Sequence, residues 1–346
     1  MSPSHGLFAR YNRYFNGPSV WNDKVTLSTD SLYETKSLYI VGFSFDVLTL
    51  AALICGVVWA CLIRNHRGAL KGVLPSLIAW LVAMILTIIE ESLHLADAVV
   101  TQYYVMGLFL NVFFFLLSQC LLIFVFYNVI HKLLDRLTDT GKPYAAVVII
   151  HWIVLALAVA LAIATWALYV VFEVNMIQNS YGFDVSGIYS NIQSAQVIFY
   201  WVISVEMLAW SIFATVKAGS HRFVSKMPAI AFIIGSVFWF ALNMMWAVVY
   251  IRYIIPDSLF FPRYLSAVES VGQFLFCVGI YVGVLLCCMN WSKVGDKPSG
   301  PMQHGPVPVG YPTYPAYQTY PQFSQNPQQY PPYMQQPYQQ PYQQTY

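Results

Sequence analysis

Charge is scarce in this chain. Asp, Glu, Lys and Arg make up 9% of its 346 residues and 58% are hydrophobic, whereas a soluble domain carries about 25% charged residues. Too little polar surface is present to coat a core of this size, so lipid is expected to replace water around much of it. Cysteine is absent from the connectors. Cys55, Cys61, Cys120, Cys277, Cys287 and Cys288 all fall inside or at the end of apolar stretches, which excludes a disulfide framework or a zinc knuckle. No connector is long enough for a soluble catalytic domain, and neither a nucleophile–base pair nor a glycine-rich phosphate loop is evident. The chain therefore reads as non-enzymatic and without a cofactor. A net charge of +2 gives no reason to expect nucleic acid. The N-terminus lacks an apolar h-region, so no cleavable signal peptide is expected and the first span should serve as the signal.

Long apolar runs are what the chain has in abundance. A spanning helix needs about 20 apolar residues, and seven stretches qualify: Tyr39–Ile63, Val73–Leu93, Tyr104–Ile130, Tyr144–Val170, Ile192–Val216, Met227–Tyr250 and Tyr264–Met289. Pro75 and Pro228 sit at helix starts, where a missing N–H is harmless. Tyr103, Tyr104, Trp166, Tyr169, Tyr250, Tyr264 and Trp291 cluster near span ends as an interfacial belt. The basic residues then set direction. One side carries Arg64, Arg67 and Lys71, then Lys132, Arg136 and Lys142, then Lys217, Arg222 and Lys226, with Lys293 and Lys297 after the last span. The other side's connectors carry only Arg252 and Arg263, with Arg10, Arg13, Lys24 and Lys36 in the N-terminal segment. By the positive-inside rule the N-terminus is expected outside and the C-terminus in the cytoplasm. The sequon Asn290-Trp291-Ser292 then lies on the cytoplasmic side and is discounted. The expected fold is all-α, an integral membrane bundle of seven transmembrane helices in the plasma membrane or an endomembrane.

Three regions follow: an extracellular N-terminal segment over 1–37, the helical domain over 38–290, and a cytoplasmic tail over 291–346. The tail is dominated by Pro, Gln and Tyr and from Gly310 onward lacks Leu and Ile and offers no core. It is expected to be disordered with polyproline II character. It is either passive or a multivalent docking tail; the pattern Pro-Pro-x-Tyr fails, since Pro331-Pro332 is followed at once by Tyr333. Cys287 and Cys288, at the cytoplasmic end of the last span, are palmitoylation candidates or simply small lipid-facing residues.

A charge at mid-bilayer costs at least ~2.5 kcal/mol on insertion scales, so each intramembrane acid asks for a partner or a purpose. The densest group ends the second span: Glu90, Glu91, His94 and Asp97. Glu90, His94 and Asp97 are spaced i, i+4, i+7 and share a helical face. Asp46 of the first span and Glu269 and Gln273 of the seventh lie at a comparable outer depth. Spans one, two and seven are neighbours in a sequential ring, so these residues are ligand-pocket candidates. Three readings stand open: an interfacial polar patch with Glu91 and Asp97 in water, a pocket for a small polar or cationic ligand from outside, and a metal site on Glu90, His94 and Asp97. Gln119, His151 and Glu206 form a second, deeper group as buried polar pair candidates, either a clamp between helices or a proton relay. Asn111 and Asn243 read as glue between helices.

Seven spans over about residues 39–290, an outside N-terminus and a disordered cytoplasmic tail resemble the layout of G-protein-coupled receptors. The Pro/Gln/Tyr-rich tail on such a body resembles uncharacterised fungal seven-transmembrane proteins. The likeness is one of layout and tail composition. Span three closes on Phe126-Tyr127-Asn128 and not Asp-Arg-Tyr, span seven has no Asn-Pro-x-x-Tyr, and it holds neither the lysine of a rhodopsin Schiff base nor the histidines of the seven-helix zinc amidohydrolases. The resemblance implies a receptor-like or sensor-like protein, with cytosolic protein partners on the basic loops and tail. Alternatives are a proton-coupled transporter of a small polar solute, a membrane-embedded metal hydrolase, and a scaffold driven by the tail.

Overall fold

Backbone N–H and C=O groups find no water in a bilayer, so an apolar run of spanning length must satisfy them within a helix. The computed structural model does this seven times. It describes residues 20–27, 36–63, 72–137, 145–178, 183–220, 226–255, 262 and 264–291. All of them belong to a compact unit, Met1–Lys297. The expected tail, most of the N-terminal segment and the loop cations Arg64, Arg67, Lys71, Lys142 and Arg222 lie outside the described residues.

The helices are α1 (Lys36–Leu62), α2 (Val73–Leu95), α3 (Val105–Leu137), α4 (Ala145–Ile177), α5 (Phe183–Ser220), α6 (Met227–Val249) and α7 (Leu265–Met289). A π turn, Tyr250–Ile254, prolongs α6. The seven-helix membrane class is thus the observed one, and each helix is long and apolar enough to cross a membrane. Three spans exceed their expected bounds. α3 runs past Ile130 to Leu137, α4 runs past Val170 to Ile177, and α5 begins at Phe183 and not near Ile192. The extra turns carry polar and charged residues, such as Lys132, Asp135 and Glu173, which break an apolar run. Glu173, in the added turn of α4, is nevertheless buried.

Each helix packs against its neighbours in sequence, α7 closes the ring against α1, and α3 also touches α5. Outward faces carry Ile149, Ile153, Leu157, Ile163 and similar residues, as lipid contact requires. A short antiparallel ribbon marks one end. Its strands are β1 (Lys24–Thr26), before α1, and β2 (Val99–Thr101), after α2, with Val25 opposite Val100. Trp21, stacked on Tyr103 at 6.0 Å, joins a satellite cluster of Leu108, Phe109, Tyr169 and Tyr189 at this end. We call it the ribbon end; Lys132, Lys217 and Lys226 lie toward the opposite helix ends.

The opposite half is solidly filled. Trp80, Phe126, Phe232, Trp239, Ile280 and Val284 are fully buried in one continuous core. Phe126 stacks on Trp239 at 5.2 Å, and Trp80 meets the edge of Tyr281 at 5.8 Å. Ser76 ties three helices together here, donating to the Ser118 carbonyl at 3.1 Å and lying 2.9 Å from the Tyr281 hydroxyl.

Candidate functional site

In the ribbon half the core gives way to a cavity of about 150 Å³, and all seven helices contribute to its wall. α1 supplies Asp46 and α2 supplies Glu90, Glu91 and His94. α7 adds Glu269, Ser270 and Gln273. From the other side come Gln119 of α3, Thr165 and Glu173 of α4, Gln193, Gln196 and Tyr200 of α5, and Asn243 and Trp246 of α6. Five carboxyl side chains therefore line the space, and none of the described lining residues is Lys or Arg. Hydrocarbon would reject such groups singly, so concentrating them around one cavity shares their polar surroundings.

Asp46 and Glu91 anchor the acidic wall. Their carboxyl groups stand beside each other, and Ser270 Oγ donates to Asp46 Oδ2 at 3.1 Å. Three helices meet at that point. Gln273 Nε2 reaches Met84 Sδ at 3.3 Å, joining α7 to α2. Asn111 Nδ2 donates to Thr87 Oγ1 at 3.1 Å, bridging α3 and α2 as expected of glue. Asn243 bonds instead to the Trp239 carbonyl of its own helix, at 2.8 Å, and lines the cavity.

Six expected pocket residues, Asp46, Glu90, Glu91, His94, Glu269 and Gln273, are thus brought together. Asp97 is not. α2 ends at Leu95, and Asp97 adopts a left-handed φ of 47°. Its N–H bonds the His94 carbonyl while the Ala98 N–H bonds that of Leu93, a Schellman cap. The i, i+7 argument fails because the helix has stopped, and Asp97 stands exposed. The expected metal set Glu90, His94 and Asp97 is dispersed accordingly, and no three His, Cys, Asp or Glu side chains are placed to hold a metal among the described residues. Glu91, which the polar-patch reading put in water, is 8% exposed.

Gln119 also departs from expectation. It was grouped by depth with His151 and Glu206, but α3 continues about two turns beyond Ile130, so that depth count was short. Gln119 belongs to the cavity. His151 and Glu206 do pair, Nε2 to Oε1 at 3.1 Å. Glu206 Oε2 accepts from the Tyr127 hydroxyl at 3.0 Å, and His151 Nδ1 lies 2.8 Å from His131 Nε2. The Tyr127 and His131 rings lie nearly parallel to this imidazole, with centroids 4.2 and 5.0 Å away. The outcome is a four-residue network across α3, α4 and α5 whose residues do not line the cavity. Cys287 and Cys288 are buried, 0% exposed. The inner positions on α7 face the core and not lipid, so the structure offers neither thiol for palmitoylation.

Glu173 escaped the sequence reading because it lies beyond the expected span Tyr144–Val170, while Thr165, Gln193 and Gln196 lie within expected spans as uncharged residues. A signal was present: Gln193 and Gln196 are spaced i, i+3, on one face of the fifth span. No protein-family model, curated protein or solved structure matches the chain.

Proposed function

We propose that this is a receptor-like or sensor-like membrane protein that takes a small polar molecule into the ribbon-end cavity. One observation carries the reading: the cavity draws on every helix yet is confined to one half, above a floor packed by Trp80, Phe126 and Trp239. A one-ended site suits recognition, since a ligand held by all seven helices biases their packing. With the N-terminus outside, as the basic loops indicate, the ligand enters from outside and the opposite end faces cytosolic partners. The neighbouring acids Asp46 and Glu91 in the cavity wall favour a second reading, a proton-coupled transporter, because interacting carboxyl groups can carry a proton. That reading requires the packed half to open.

The test is a thermal-shift screen of small polar molecules on the full chain in nanodiscs, run beside a cavity-filling variant, Val112→Trp. A true ligand at 100 times its Kd stabilises by about 2.7 kcal/mol, and the variant should lose that gain. Equal stabilisation of wild type and variant would place binding elsewhere. Accumulation of the same molecule in proteoliposomes, driven by a pH gradient, would move the conclusion to transport.

A further inference from the structure

We propose that the cavity's ligand is a small organic ammonium ion with a neutral hydrogen-bonding group at its far end. This rests on the ligand-binding reading above and names the ligand's chemistry. Size comes first. An apolar cavity of about 150 Å³ accepts a molecule like benzene, and this one has that volume, so the ligand is of single-ring dimensions.

Charge comes next. The wall formed by α1, α2 and α7 presents Asp46, Glu91 and Ser270 at one point. The lining holds five acids and, among the described residues, no Lys or Arg, so it favours a cation. Glu91 Oε2 is buried and makes no hydrogen bond. An ammonium N–H placed there gives it a charge-assisted bond, which is shorter and stronger than a neutral one. A metal ion fits poorly, because it needs three or more ligating side chains converging on one point and the described acids are spread around the wall. Trp246 and Tyr169 add aromatic faces, which attract cations and pack against a ring.

The opposite wall is different in kind. Gln119, 1% exposed, bonds through neither its amide oxygen nor its nitrogen, and Thr165, 2% exposed, leaves its hydroxyl unbonded. Both line the cavity, on α3 and α4. A buried polar group left unsatisfied is costly. A neutral donor–acceptor on the ligand, reaching from the acidic wall, satisfies them together.

Four probes separate the possibilities, by calorimetry on the full chain in nanodiscs: benzylammonium, benzyl alcohol, benzoate and 4-hydroxybenzylammonium. Benzylammonium should bind at least about tenfold tighter than the alcohol or the carboxylate, and the added phenol should gain about another tenfold, roughly one good hydrogen bond. Asp46→Asn and Glu91→Gln should each erase the preference for ammonium, and Gln119→Leu only the gain from the phenol. Equal or tighter binding of benzyl alcohol or benzoate overturns the ammonium assignment and leaves a ligand cavity in place. Binding by none of the four, at concentrations where any single-ring ligand of such a site would register, overturns the assignment and the cavity reading alike. The ranking in wild type needs no variant to fold.

Discussion

Gln119 is a buried amide whose two polar atoms bond to nothing in the protein. A core residue chosen for stability alone would be apolar here. Gln119→Leu keeps the approximate volume and removes the unsatisfied groups, so the ligand-free protein should gain about 1–3 kcal/mol. Thermal or denaturant unfolding in a fixed detergent reads this, and a loss of stability would show that the amide supports the fold. At this scale the sequence was informative where acids stood in apolar surroundings: Asp46, Glu90, His94 and Glu269 were legible because each is costly in lipid. It misled at Asp97, where a helix end cannot be seen from spacing. It was silent on Glu173, a carboxyl in a turn that looked like a connector.

Helices in lipid hide their inward faces, because the outside is as apolar as the inside and no hydrophobic stripe forms. Neighbour order could be guessed, but rotation could not. Small residues carry that information instead. Gly279 and Gly283 of α7 are four apart, and a Cβ at Gly283 would stand 2.4 Å from the Gly235 nitrogen and 2.9 Å from the Ala231 carbonyl oxygen of α6. Backbone meets backbone at this seam. Gly283→Ala must therefore part α6 from α7 and should destabilise well beyond the usual 1 kcal/mol of a point change. Gly187→Ala on α5, where a Cβ meets nothing within 4 Å, should instead stabilise by about 0.5–1 kcal/mol through helix propensity. Melting temperatures of the two variants decide the matter; similar effects would contradict the seam.

At the scale of the whole molecule, length and hydropathy were enough to establish seven helices, since the bilayer leaves an apolar chain few other options. The division into a filled half and a hollow half was not legible, because it depends on which side chains meet. The hollow half is completed by α7, which brings Glu269, Ser270 and Gln273 and closes the ring against α1. A chain ending at residue 262 should be polydisperse on size-exclusion chromatography, and residues 256–346 supplied as a separate fragment should restore a single peak. A monodisperse truncation would show that six helices suffice.

The bond from Ser270 to Asp46 spans 224 positions. At a synthesis rate of about 5–20 residues per second, the seventh helix follows the first by roughly 10–45 s. During that interval Asp46 is already among lipids or held by whatever escorts a new helix, with Glu91 its earliest partner from the chain itself. Asp46 is therefore also a clock: it marks the newborn protein as unfinished until the last helix arrives, and anything that inspects membrane proteins for stray acids has that long to act.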